Sequence, residues 1–260
     1  ADWVFILAPL TADRLQRGRQ LIDAAFSGGV LSAALLSVVR ADSPSAPRSV
    51  DIYKQLECHL REVWPAKRLV ILRTTFYAQN FLLWAQDTQA TRTLRLPLRD
   101  SHFAPLDQHD VSAVLSRLCD DFNPPLEQQG RSLNLTGPKA LTGAQIANIA
   151  SVEVGSRLAY VSVDRIDALA ILKTGGQLDR SEANLVLDLI TLQSQESMVS
   201  TDVSVLTGSL ATPLSSFFRQ NAHRFKREAE DAWGLSDLWS AIQYPRRGRL
   251  MLRPGERWHA

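Results

Sequence analysis

The sequence lacks most of the features that would assign a protein to a functional class at once. Its 260 residues include two cysteines, Cys58 and Cys119, which are too few for a disulfide framework and indicate a reducing compartment. The longest apolar runs fall far short of the roughly 18 to 20 residues that span a bilayer. Lysine and arginine outnumber aspartate and glutamate by only 29 to 27, so no nucleic-acid or membrane partner is indicated. We therefore expect a soluble, cytoplasmic protein.

Several catalytic motifs are also missing. The sequence contains no G-x-S-x-G elbow, no G-x-x-x-x-G-K loop, and no H-E-x-x-H or C-x-x-C spacing. Four ionisable residues crowd one segment without any such spacing, so we predict no metal site there: His102, Asp107, His109 and Asp110. We expect Asp110 to cap a helix rather than to catalyse. None of the 13 glycines forms a dinucleotide fingerprint, and Gly28 and Gly29 follow a helix instead of preceding one.

The first hundred residues alternate between strand and helix patterns. Apolar runs at 3–7, 31–39 and 68–74 predict strands, and the unbroken first run is typical of a strand buried on both faces at the centre of a parallel sheet. Thr11 is the predicted cap of the first helix. Helical spacing is carried by two sets of residues: Leu15, Arg19, Ile22 and Phe26, then Ile52, Leu56, Leu60 and Val63. This order predicts parallel strands with helices on both faces.

The rest of the chain is mixed in pattern. An edge strand is predicted around Pro97, which cannot occupy a central strand, and a helix is predicted from the Thr142 cap to Gly155. Three further helices are expected near 164–173, 179–195 and 212–226. We divide the chain into an α/β part at 1–100, a mixed α+β lobe at 101–227 and a tail at 228–260. The tail combines tryptophans with arginines, and we interpret it as a loosely ordered extension rather than a docking peptide.

One stretch resembles a known family. The segment "ILRTTFYAQNFL" is similar to the "LRP-x-F-F-x-x-N" segment of the NmrA-like family, which are atypical members of the short-chain dehydrogenase/reductase group. Downstream, "LNLTGPKALTGAQIA" and "VLTGSLATPLSSFF" resemble further segments of that family in the same order. Reductases of fungal ergot-type alkaloid pathways share this order. The resemblance covers roughly residues 1 to 226.

The resemblance implies a partial Rossmann-type parallel sheet with a smaller α+β C-terminal lobe. The opening strand corresponds to the family's fourth strand, so the family's N-terminal strands, roughly 70 to 80 residues, have no counterpart here. We expect either a fragment of a longer NAD(P)-binding protein or a shortened member of the family. NADP is the implied cofactor, and it would pass Ala8 and Pro9 at the carboxyl end of the first strand.

The resemblance also implies catalytic residues. Ser37 stands where the group often has a hydroxyl that holds the substrate carbonyl, and Lys54 matches the lysine that binds the nicotinamide ribose. Four residues before Lys54 the group has a tyrosine that donates a proton, but here that residue is Val50, and Tyr53 is adjacent instead. Adjacent helix residues point about 100° apart, so Lys54 alone is the predicted acid or base. The alternatives are an ordinary strand-end serine and a solvated lysine.

The remaining implied contacts follow the third strand. Thr74 and Phe76 are assigned to the cofactor, together with Ser37 and Lys54, whereas Phe76, Tyr77 and Asn80 are assigned to the substrate. The alternative for the two aromatic residues is packing between lobes. The function implied is NAD(P)H-linked reduction of a small, largely apolar carbonyl or iminium compound.

Two other functions remain open at this point. The first is a non-enzymatic NAD(P) sensor that binds a transcription factor, as some NmrA-like proteins do. The second is a cofactor-free isomerase or cyclase on a shortened scaffold. The partners expected are a small-molecule substrate and a protein partner or a second copy of the chain.

Overall fold

Parallel strands and their crossover helices form the first part of the molecule. A computed structural model describes residues 2–8, 13–119, 130–174, 178–195 and 198–226. The strands are β1 (Trp3–Leu7), β2 (Ser32–Val38), β3 (Leu69–Thr74), β4 (Thr93–Leu96), β5 (His102–Phe103), β6 (Ser132–Leu135), β7 (Leu141–Thr142) and β8 (Ala159–Ser162). The α-helices are α1 (Arg14–Ser27), α2 (Arg48–Val63), α3 (Ala85–Thr91), α4 (Gln108–Cys119), α5 (Gly143–Val154), α6 (Arg165–Thr174), α7 (Arg180–Gln195), α8 (Asp202–Thr207) and α9 (Leu214–Gln220). Short 3-10 helices cover Ala66–Arg68, Ala78–Trp84 and Ala222–Arg224.

The main sheet has four parallel strands in the order β1-β2-β3-β6. The predicted parallel α/β arrangement of the first hundred residues is therefore confirmed. The central position predicted for the first strand is wrong for the described residues, because β1 lies at the edge and pairs there with β2 alone. Only Ile6 of this strand is buried, and Leu7 is 55% exposed. An apolar run does not distinguish an edge strand from a central one, because both are hydrophobic where helices cover them.

Helices cover both faces of this sheet. The face that carries Ala33, Leu35 and Ile71 packs against α1 and α2. The opposite face carries Ala34 and Leu72 and packs against α4 and α8. Alternate residues of a strand point to opposite faces, so the two cores are separated by the sheet itself. The sequence did not predict α8.

Helix α1 differs in detail from its sequence prediction. It begins at Arg14 after Asp13, whose side chain makes no capping bond, and Thr11 lies outside the described residues. Its buried residues are Arg14, Gly18 and Ile22, whereas Arg19 and Phe26 are exposed. The face is set by α2, because a Cβ at position 18 would lie 2.7 Å from the Leu56 side chain.

The second part of the molecule has its own core. Strand β4 pairs with β8, which confirms its predicted edge position, and β5 pairs with β7. Helix α5 begins with the predicted Thr142 cap, here part of a capping box with Gln145, and ends at Gly155. The core between these elements is aromatic, with ring contacts among six residues: Phe76, Phe81, Trp84, Phe103, Phe217 and Phe218.

The chain divides into a compact unit at Ala1–Phe225 and a second unit at Lys226–Ala260. Within the second unit only Lys226 lies among the described residues, so the predicted tail at 228–260 falls outside them. The predicted domain boundaries stay predictions.

The approach of two loops generates a stability prediction. A Cβ at Gly137 would lie 2.0 Å from the carbonyl oxygen of Pro105, so no side chain fits there. We expect Gly137→Ala to lower the free energy of unfolding by about 3 kcal/mol in urea titrations. Gly155→Ala is the control, because its backbone φ is +72° but open space surrounds it, and it should cost only about 1 kcal/mol. Equal losses would show that the two loops separate without cost.

Candidate active site

The carboxyl ends of β1, β2 and β3 meet at one edge of the sheet, which we call the carboxyl edge. It consists of Ala8, the loop 39–47 after β2 and the segment 75–77 after β3. The first turns of α1 and α2 start from the same edge, because each helix follows a strand that ends there. In open α/β sheets, ligands bind outside the carboxyl ends of the strands.

A buried carboxylate organises the edge. Ser37 and Arg73 are partners in the parallel register of β2 and β3, and both face the α2 layer. There the Ser37 hydroxyl donates to Glu57 Oε1 over 2.5 Å, and Arg73 Nε and Nη2 donate to the two Glu57 oxygens over 2.9 and 2.6 Å. Arg73 Nη1 also donates to Asp42 in the loop after β2, over 2.9 Å. Burial alone would lower the pKa of Arg73, but its hydrogen bonds to Glu57 and Asp42 outweigh burial and raise it.

The two predicted catalytic residues occupy different environments. Ser37 is buried, and its only hydroxyl proton is engaged by Glu57. Lys54 is exposed on α2. Val50 is fully buried, and Tyr53 faces inward from the position next to Lys54. The roles predicted for Ser37 and Lys54 stay predictions.

Two tyrosines and an arginine lie together at this edge, and with Thr74 we call them the strand-end cluster: Arg14, Tyr53, Thr74 and Tyr77. Tyr53 is buried and hydrogen-bonded to the Arg14 side chain. Desolvation raises the pKa of Tyr53 despite the opposing charge and hydrogen bond of Arg14. Desolvation likewise raises the pKa of Tyr77, which is hydrogen-bonded to Thr74 and lies close to Tyr53. Both phenols are therefore protonated at neutral pH.

Arg14 has a buried hydrogen-bonding group to spare. The residue is only 6% exposed, and its Nη1 has no hydrogen-bond partner in the described part of the chain. A buried and unpaired guanidinium nitrogen is costly. It is therefore a ready donor for an acceptor group that enters the edge.

Helix α7 covers the carboxyl edge. Its Leu185 and Leu192 pack against Val50 and Tyr53 of α2. Two hydrogen bonds fix the helix: the Ser49 hydroxyl donates to Asp188, and the backbone N–H of Phe76 donates to Gln193 Oε1 over 2.6 Å. The other amide atom, Gln193 Nε2, is buried without a partner among the described residues.

The other predicted contact residues divide between this edge and the core. Thr74 is buried and donates from its hydroxyl to the Ser37 carbonyl over 3.2 Å, and Tyr77 belongs to the strand-end cluster. Phe76 instead packs in the aromatic core, as in the alternative interpretation. Ala8 and Asn80 are half-buried. Pro9 lies outside the described residues.

Sequence reasoning missed Arg14, Glu57 and Gln193 as parts of the edge. For Arg14 a signal existed, because an arginine shares the buried stripe of α1 with Gly18 and Ile22. The signal for Glu57 was its place on α2 opposite the arginine of "ILRT". Gln193 gave no signal that distinguishes it from a surface glutamine.

A second acidic pair anchors the segment after β3. Asp107 accepts from the Gln79 amide over 3.0 Å and from the His109 backbone N–H over 2.9 Å. Asp110 does not cap its own helix, as we had expected; its carboxylate accepts from the N–H and hydroxyl of Thr212 over 2.8 and 2.7 Å. Capping of α4 therefore belongs to Asp107, and Asp110 joins α4 to the loop before α9.

Comparison with known proteins decides the family. The model of the NmrA-like family matches residues 1–217. The chain belongs to the NmrA-like family. An NAD(P)H azoreductase of Xenophilus azovorans is 27% identical over 227 residues, which cover 86% of this chain and 77% of the relative.

Solved structures of other proteins share the fold of this NmrA-like chain. The NADPH-dependent quinone oxidoreductase of Escherichia coli, complexed with NADPH, superposes with a TM-score of 0.72 at 22% identity, over 85% of this chain and 76% of that one. The triphenylmethane reductase of Citrobacter, complexed with NADP(H), gives 0.70 at 16% identity, over 85% and 77%. The Rossmann-type fold is thus established.

The residues present fit one half of a dinucleotide. In this fold the pyrophosphate lies on a glycine-rich turn, and the 13 glycines of this NmrA-like chain form no such turn. The carboxyl edge does offer hydrogen-bond donors for a nicotinamide riboside: Arg14 Nη1, Gln193 Nε2 and the exposed Lys54. Among the described residues, no three His, Cys, Asp or Glu side chains cluster as metal ligands. No helix in the described ranges has the length and apolarity to cross a membrane.

The buried carboxylate generates a prediction. Glu57→Gln removes the charge that pairs with Arg73, and the loss of one member of a buried ion pair costs about 3 kcal/mol. We expect that loss in urea unfolding, against about 1 kcal/mol for Ser37→Ala. The matched control is Glu62→Gln on the same helix, whose side chain is 75% exposed and which should be neutral. A loss for Glu57→Gln no greater than the control's would remove the carboxylate from this anchoring role.

Asp107 generates a pH prediction. Burial would raise its pKa, but hydrogen bonds from the His109 backbone and side chain and from Gln79 hold the pKa below the ordinary value of 3.8. The stabilisation is therefore complete above pH 3.8 and is lost as the pH falls through the lower pKa of the folded state. Asp107→Asn should cost about 1 kcal/mol at pH 7. That cost should shrink below pH 3.8, whereas the exposed Asp100→Asn control should be neutral. A cost that stays constant from pH 7 to pH 2 would contradict the assignment.

Proposed function

We propose that this protein is an NAD(P)H-dependent reductase of a small, largely apolar acceptor, with its site at the carboxyl edge beneath α7. The observation that carries the proposal is the strand-end cluster, in which Tyr53 is buried against Arg14 beside Lys54. Burial keeps its phenol protonated at neutral pH, as a proton donor must be. Family membership supports the same reaction class.

The division of labour in the proposed reaction is simple. The reduced nicotinamide supplies a hydride to the electrophilic atom of the acceptor. Tyr53 supplies the proton to the heteroatom, so the acceptor gains one hydride and one proton. Arg14 stabilises the phenolate that remains, because its guanidinium already contacts the hydroxyl. Lys54 holds the nicotinamide ribose, the role that the resemblance assigns to it.

Conjugated electrophiles are the acceptors that we propose to test first. The similar proteins act on azo compounds, quinones and triphenylmethane dyes, as their names state. Their common chemistry is a conjugated acceptor that takes up a hydride, and quinones and triphenylmethane dyes represent the carbonyl and iminium classes expected from the sequence. The apolar side chains of α7 that face Tyr53 suit such an acceptor.

A second candidate is a dinucleotide sensor that binds a transcription factor. Two observations favour it: the Ser37 hydroxyl is engaged by Glu57, and Val50 stands where the group has its proton-donating tyrosine. A sensor needs a cofactor site but no proton donor.

Binding and turnover distinguish these functions. We expect the 260-residue chain to bind NADPH in calorimetry and to oxidise it with a quinone or a triphenylmethane dye. Tyr53→Phe should lower kcat about a hundredfold and change the NADPH Kd less than twofold. Lys54→Ala should raise that Kd about tenfold, because a charged hydrogen bond is lost.

Matched variants control for general effects on folding. Tyr160→Phe removes a hydroxyl that bonds the Arg99 carbonyl, and Lys67→Ala removes an exposed lysine outside the edge; both should retain activity. NADPH binding without turnover of any acceptor would favour the sensor. The reductase is rejected if Tyr53→Phe and wild type turn over equally, or if the chain does not bind NADPH.

A further inference from the structure

A separate cavity lies outside the carboxyl edge, between α5, the start of α9 and two loops. Its volume is about 610 Å³, within the roughly 300 to 1,000 Å³ of typical small-molecule sites. None of the strand-end cluster lines it. We call it the α5–α9 cavity.

Two tight contacts give this cavity a fixed shape. On one side Pro105 approaches Gly137 so closely that no Cβ would fit between them, and Pro105 and Pro138 line the cavity. On the other side the Asp110 carboxylate holds both polar groups of Thr212, which lies between two lining residues. The cavity is therefore preformed, and a ligand would not have to order its walls.

The lining is apolar, and part of it is exposed. Beyond the two prolines, six lining residues are apolar: Leu141, Ile149, Leu210, Ala211, Pro213 and Leu214. Leu210 is 86% exposed, more than any other large hydrophobic side chain reported as exposed in the described residues. Burial of such a surface by a ligand is favourable in water.

Only two lining residues carry polar side-chain groups, Lys139 and Ser215. Neither side chain has a hydrogen-bond or ion-pair partner among the residues that the structure describes. Lys139 is exposed, so its ammonium group is available to an anion at the cavity mouth. The lining thus combines a large apolar wall with one cation and one hydroxyl.

We propose that the α5–α9 cavity binds an amphipathic anion, a small apolar molecule with a single carboxylate or sulfonate group. The apolar body contacts Leu210 and Leu214, the anionic group lies against Lys139, and Ser215 donates a hydrogen bond to it. The proposal does not depend on the reductase function, because it uses no residue of the carboxyl edge.

Calorimetry with decanoate, and with decanol as its uncharged counterpart, tests the proposal on the whole chain. We expect saturable binding of one decanoate and weaker binding of decanol. Leu210→Glu removes apolar surface and adds a repelling charge, so it should weaken decanoate at least tenfold. Lys139→Ala should weaken decanoate about fivefold, the effect of an exposed ion pair, and leave decanol unchanged.

Matched substitutions locate the binding. Leu31→Glu changes another leucine that is 52% exposed, and Lys67→Ala another exposed lysine; neither should alter decanoate binding. Circular dichroism of each variant checks its fold. No binding to wild type, or equal decanoate affinity for wild type and Leu210→Glu, overturns the proposal. A Lys139→Ala variant that loses decanoate and decanol equally overturns the assignment of the lysine to the anionic group.

Discussion

The carboxylate of Glu57 is the contact on which the carboxyl edge depends. It lies on a helix, and it joins that helix to two neighbouring strands through Ser37 and Arg73. A buried ion pair contributes little net stability compared with apolar packing. Its effect here is positional, because the planar guanidinium and the carboxylate meet in a two-point geometry that permits one orientation of α2. Arg73 extends the same constraint to Asp42 in the loop after β2.

The orientation of α2 decides which side chains reach the site. Residues 53 and 57 are one turn apart, so they share a face of the helix. With Glu57 turned toward the sheet, Tyr53 must also be buried, and Lys54 must point about 100° away, into solvent. The displaced tyrosine of the sequence is thereby the inward residue of the pair. Helix α7 then closes over it through Leu185 and Leu192.

Sequence patterns predicted the parts of the fold that follow from local rules. Periodicity located the strands and helices of the first hundred residues, and a Thr142 cap with a Gly155 stop defined α5. Local rules could not place β1 at an edge, because hydrophobicity reports burial and not which strand lies alongside. They also could not orient Phe76, since a residue that follows a strand can turn toward the cofactor edge or toward the second core.

The site was harder to predict than the fold for a related physical reason. Its polar residues act through partners distant in sequence: Arg14 reaches Tyr53, and Gln193 reaches the N–H of Phe76. Such pairs leave no periodic signal, and a single sequence carries no record of their proximity. The family resemblance assigned roles by alignment to Ser37 and Lys54, but the hydrogen bonds of this chain depend on its own neighbours.

The carboxyl edge and the α5–α9 cavity share a structural support. The segment after β3 is paired through its backbone with Leu106, which donates to the Phe76 carbonyl and accepts from the Ala78 N–H. Pro105, one residue earlier, forms a wall of the cavity. One short, doubly bonded segment therefore fixes Tyr77 on one side and the cavity wall on the other. Rigidity at that segment gives both sites a preformed shape, and it explains why Gly137, whose backbone contacts Pro105, has no room for a side chain.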